Sequence, residues 1–163
     1  MLKEHPDDPQ IFNRLLNAYV SINDFTNGLR LLETRLARTP DDIPLLSTKA
    51  RVLDLSGHAA AALPIVDRII LLTNTPAAHL FRAKARMDAG QFAAAKAELT
   101  ELEKNGDALG PVEYNLAVVA RAGGDTNTAI VYLQRCLTNV PVGQPLWRQA
   151  NDLLQQISSM PKP

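Results

Sequence analysis

Apolar residues recur three and four positions apart along this chain, in short blocks separated by turns. That is the period of one face of an α-helix. The last block is the plainest: Leu146, Trp147, Ala150, Leu153, Leu154 and Ile157 share one face, with Gln149, Asp152, Gln155 and Gln156 opposite. Blocks of this kind predict helices over about 9–22, 25–38, 43–56, 59–72, 76–89, 92–104, 111–122, 126–139 and 145–158. Between the members of each pair stands a tight turn: Asn23-Asp24-Phe25, Gly57-His58-Ala59, Gly90-Gln91-Phe92 and Gly124-Asp125-Thr126, each starting about 34 residues after the one before. Glycine accepts the left-handed backbone common where a helix stops, and asparagine is the next-best residue there. A period of that length with two helices in it predicts an all-α array of stacked antiparallel helix pairs.

The same places in successive pairs carry the same kinds of side chain. Leu16, Ala50, Ala83 and Ala117 mark the crossing point of the first helices, and Gly28, Ala62, Ala95 and Ala129 that of the second. Small side chains at both places let the helices approach closely. Leu32, Val66, Leu99 and Leu133 recur behind them as core. Pro64 falls about one turn into the fourth helix, where a missing hydrogen bond typically costs about 3 kcal/mol. A kink or a late helix start is expected there.

In this combination residues 9–141 resemble the tetratricopeptide repeat family. The large residue early in the first helix matches Phe12 and Leu46, the central leucine Leu15 and Leu116, the aromatic place Tyr19 with Leu53 as substitute, and the closing proline Pro40 and Pro141. The pattern is departed from at Lys49 and Arg82 in the central-leucine place, Arg86 in the aromatic place, and His79 and Glu113 in the early large place. The resemblance implies a right-handed α-solenoid of antiparallel helix pairs. Its repeats would span 9–42, 43–75, 76–109 and 110–143, with a capping helix at 144–158 and a tail at 159–163. Pro6-Asp7-Asp8, one repeat period before Pro40-Asp41-Asp42, reads as the end of a preceding repeat within 1–8.

Composition narrows the function classes. Lys and Arg total 17, and so do Asp and Glu, so no net field recruits nucleic acid or an anionic membrane. Apolar runs such as Ile69-Ile70-Leu71-Leu72 are far short of the roughly 20 residues of a membrane-spanning helix. His5, His58 and His79 have no metal-ligand spacing with each other or with Cys136. Cys136 stands at an apolar helix position, which reads as a buried thiol. Gly123-Gly124 is an inter-helix turn rather than a phosphate loop. The chain therefore reads as non-catalytic and without a cofactor.

In the family resembled, the first helices line a concave groove that holds extended peptides or helices. The resemblance places Asn13, Asn17, Arg51, Leu55, Leu80, Lys84, Met87, Tyr114, Val118 and Arg121 on that groove, with Val20 and Ser47 beside them. Asparagine pairs with a peptide backbone through both donor and acceptor, and Arg or Lys binds carboxylates with charge assistance. The implied partner is a protein or peptide segment, acidic or amphipathic. A chaperone C-terminal clamp would need a lysine where Asn13 stands. Lys49, Arg51, Arg82, Lys84 and Arg86 read as a locally positive groove without the aromatic platform that single-stranded nucleic acid requires. Glu98, Glu101, Glu103 and Asp107 read as a solvated outer face. The alternative is a structural or self-associating homo-oligomeric segment of a longer solenoid. The Ala- and Leu-rich repeats, with Lys49-Ala50-Arg51 and Arg82-Ala83-Lys84, also look similar to scaffolds of bacterial envelope and exopolysaccharide-secretion assemblies.

Overall fold

The computed structural model describes residues 8–159. The expected turn at Pro6-Asp7, His5 and the tail at 160–163 lie outside the described residues. Among those described, the elements are all helical: α1 (Pro9–Ser21), α2 (Phe25–Leu36), α3 (Ile43–Leu55), α4 (Ala59–Thr73), α5 (Pro76–Asp88), α6 (Phe92–Asn105), α7 (Leu109–Ala122), α8 (Thr126–Asn139) and α9 (Pro145–Ser158). They form two compact units, α1–α4 up to Asn74 and α5–α9 from Thr75.

The helices begin and end for local reasons. Pro9, Pro44, Pro76 and Pro145 sit in the first two helical positions, where a missing N–H costs nothing. Asp8, Asp24, Asp42 and Asp125 accept N–H bonds from the first turn of the helix that follows each. Accepting from Thr128 holds the Asp125 carboxyl below its ordinary value of 3.8. All four inter-helix turns place their first residue in left-handed backbone, with φ of 58° at Asn23, 78° at Gly57, 76° at Gly90 and 80° at Gly124. The N–H of the following residue then reaches back over the last helical turn: Asp24 to Tyr19 at 2.8 Å, His58 to Leu53 at 2.8 Å, Gln91 to Arg86 at 2.7 Å and Asp125 to Ala120 at 2.9 Å. This is one Schellman stop repeated four times.

Two helix starts sharpen the expectations. α4 starts at Ala59 and runs through the exposed Pro64, so the late start does not occur, although Pro64 has no N–H for the carbonyl of Ala60. α7 starts at Leu109, slightly early, because Pro111 then falls in the first turn, whose N–H groups lack helical acceptors anyway.

Within unit 1, Phe12, Leu16, Leu32 and Val52 form a core cluster against which Phe25, Leu29 and Leu31 pack. Unit 2 holds two clusters. Ala83, Met87, Leu99, Leu102, Val112 and Leu116 join α5, α6 and α7; Ala117, Leu133, Cys136, Ala150, Leu153 and Ile157 join α7, α8 and α9. Ala50, Ala62, Ala83, Ala95, Ala117 and Ala129 are fully buried at the helix crossings, where a larger side chain would force the axes apart. Gly110 makes the closest approach of all: a Cβ there would run into the Val140 side chain.

Candidate functional site

The predicted groove residues divide by burial rather than by place in the repeat. In unit 1, Asn13 and Asn17 on α1 and Arg51 and Leu55 on α3 are exposed. Neither asparagine's side chain nor Arg51 has a hydrogen-bond or ion-pair partner among the described residues, and Val20 packs half-buried against the core. Asn13 lines a shallow pocket of about 180 Å³ with Phe12, Arg35 and Leu45, where the Arg35 guanidinium lies 4.6 Å from the Phe12 ring centroid. In unit 2, Arg121 is exposed, and Lys84 is exposed with its amine 2.6 Å from Asp88. Met87 is buried in the core, and Leu80 and Val118 pack half-buried on the same cluster. Tyr114 does so on the neighbouring one. The structure thus brings Leu80, Met87 and Val118 together, but as packing.

The side chains that depart from the repeat pattern are where the polar chemistry concentrates. Glu98 on α6, its side chain only 7% exposed, is held from three sides by α5. His79 Nδ1 lies 2.8 Å from Oε1, Arg82 Nη2 2.7 Å from Oε1, and Arg86 Nη1 2.7 Å from Oε2. The short contact requires His79 to carry its proton on Nδ1 and donate it to the carboxylate. Glu98 is therefore not part of a solvated acidic face, and Arg82 and Arg86 are committed to it rather than to a positive groove. The sequence reading missed this because the carboxylate and its partners lie on different helices, too far apart along the chain for any local pattern to join them.

Glu113, 1% exposed, is the second buried carboxylate. Asn139 Nδ2 donates to its Oε2 at 2.8 Å, and Arg135 Nε stands 3.1 Å from Oε1, paired by charge but outside hydrogen-bond alignment. Arg135 also binds Glu103 Oε1 at 2.7 Å, linking α6, α7 and α8. Lys49 Nζ meets Glu33 at 2.9 Å in unit 1. Burial, then the Glu103 charge, pushes the Tyr132 hydroxyl pKa up. Burial, reinforced by Glu113, pushes the Cys136 thiol up to about 11, which leaves it protonated and unreactive at neutral pH. No group of three or more metal-ligating side chains is present among the described residues.

A pocket the pattern reading did not anticipate opens in unit 2, about 300 Å³ in volume, between the starts of α6 and α8 and over the end of α7. Its floor is Leu116, Val119 and Ala120; Phe92 and Lys96 stand on one side, Asp125 and Tyr132 on the other. Ala120 occupies the place that Tyr19 and Leu53 fill, which is the sequence signal that would have found it.

Helix pairs closed by a repeated Schellman stop, with alanine or glycine at all but one of the crossing places, define the class: all-α helical-repeat proteins. The chain has the tetratricopeptide-repeat fold. A thermophilic tetratricopeptide-repeat protein of Thermus thermophilus, TTC0263, superposes with a TM-score of 0.70 at 20% identity, over 94% of this chain and 85% of that one. MamA residues 41 to the end from Desulfovibrio magneticus RS-1 give 0.67 at 14% identity, over 93% of this chain and 94% of that one. The tetratricopeptide-like repeats of a putative kinesin light chain from Podospora anserina give 0.66 at 16% identity, over 91% and 89%. No family model matches the chain, and no curated protein sequence does.

Proposed function

We propose that this chain is a non-catalytic scaffold whose first helices take up an acidic or amphipathic segment of a partner protein. The observation that carries this reading is the exposure of Asn13, Asn17 and Arg51 on α1 and α3, with their side chains unpaired among the described residues. Elsewhere in the chain Lys49, Arg82 and Arg86 are each consumed by a carboxylate. A chain that pairs those cations internally and leaves Arg51 open keeps a site for an external carboxylate. The raised pKa of Cys136 keeps the single thiol protonated, which supports a role other than thiol catalysis.

Affinity capture from lysate, comparing the wild type with Asn17→Ala/Arg51→Glu, tests the reading. Both side chains are exposed, so helicity by circular dichroism should hold while the specific partner is lost. A folded double variant that retains the same proteins would overturn it.

A further inference from the structure

We propose that the unit 2 pocket over Ala120 is a docking site for a protein segment carrying one bulky apolar side chain next to an acidic residue. The pocket exists because two places that are filled in unit 1 are vacated in unit 2. Counting back two repeats, Lys96 corresponds to Leu29 and Ala120 to Leu53. Leu29 packs half-buried on the unit 1 core, and Leu53 is half-buried on α3. In unit 2 the alanine ends at Cβ and the lysine carries its charge to the surface, so about 300 Å³ opens over Leu116 and Val119. Phe92 stays 39% exposed at its mouth.

A concave site of this size, floored by aliphatic side chains and edged by an aromatic ring, fits a single anchoring residue. The charges around it choose what stands beside the anchor. The Asp125 carboxylate is already engaged as a helix cap, accepting the Thr128 N–H at 3.0 Å. The Lys96 amine, whose charge also helps hold Asp125 ionised, is exposed and makes no ion pair among the described residues, so it can receive an incoming carboxylate. An apolar residue seated on Leu116 with a carboxylate reaching Lys96 satisfies both. Since the site lies in unit 2 while Asn17 and Arg51 lie in unit 1, the two readings can fail separately.

The test is selection of a random-peptide phage library on the full chain, followed by anisotropy titration of the enriched peptides as synthetic, labelled probes. Ala120→Leu restores the residue that unit 1 holds in this place and fills the pocket. Lys96→Glu reverses the exposed charge without touching the core. Enriched peptides should share a bulky apolar residue beside Asp or Glu, and each variant should weaken them at least about tenfold. The Ala120→Leu melting temperature should equal or exceed that of the wild type. Lack of enrichment, consensus peptides without an acid, or equal binding to a folded Ala120→Leu would overturn the proposal. A concentration-dependent dimer of the chain abolished by Ala120→Leu would also overturn it, placing a second copy in the pocket instead.

Discussion

The helix pairs α1–α2 and α5–α6 occupy equivalent places two repeats apart and are held together by opposite chemistry. Phe12, Leu15, Tyr19 and Leu31 are buried or half-buried in the first pair; His79, Arg82, Arg86 and Glu98 stand at the same places of the second. Four apolar side chains have been exchanged for an ion cluster as a set. The exchange teaches that the repeat backbone holds either solution provided each buried charge finds a partner, as Lys49 does in Glu33 and Glu113 in Asn139 and Arg135. A lone Glu98 among leucines would leave a charge buried without a partner, and a lone Arg82 would do the same with the opposite sign.

Breaking the cluster should therefore cost more than thinning its apolar counterpart. Glu98→Ala strips the shared carboxylate from two guanidiniums that are about three-quarters covered, and should destabilise by about 3–5 kcal/mol in urea unfolding. If the loss is below about 1 kcal/mol, the cluster is solvent-screened and the contrast between the two pairs dissolves. Transplanting the unit 1 set into unit 2, as His79→Phe, Arg82→Leu, Arg86→Tyr and Glu98→Leu together, removes the desolvation cost and should change stability by about 0 to 4 kcal/mol in the favourable direction. A clear loss by the same measurement would mean that the surroundings of α5 are shaped for charge. Leu31→Ala, the apolar counterpart of Glu98→Ala, removes a half-buried side chain and should cost only about 1–2 kcal/mol. A larger effect would reverse the ranking.

How much of this was legible in the sequence depends on how far the deciding residues lie apart. The stops at Asn23, Gly57, Gly90 and Gly124, the alanines at the crossings and the core positions Leu32, Val66, Leu99 and Leu133 were all readable, because local backbone physics and a repeated register fix them. The departures were readable as departures but not as partners. Glu98 looks solvated within its own helix, and only the approach of α5 shows that Arg82 and Arg86 enclose it. Met87 fell in the groove register yet lies in the core. A helix face is about 100° wide, and its buried edge is decided by the neighbour it meets rather than by spacing. The pocket over Ala120 went unread for a related reason: an alanine in a helix looks favourable by itself, and only its register against Tyr19 and Leu53 records what is missing.

Cys136 has one more consequence. It is the single thiol of the chain, fully buried on α8 in the cluster that α8 shares with α7 and α9, with its pKa pushed up to about 11. At neutral pH a maleimide or disulfide reagent can reach it only when that part of the molecule comes open, and the thiol then regains its ordinary acidity. The rate of modification thus acts as a built-in stopwatch for breathing of the α7–α9 end, readable in the wild-type protein without any added label. Its acid–base linkage runs the same way: the stability held by keeping the thiol protonated is complete below pH 9 and drains away as the pH climbs towards 11.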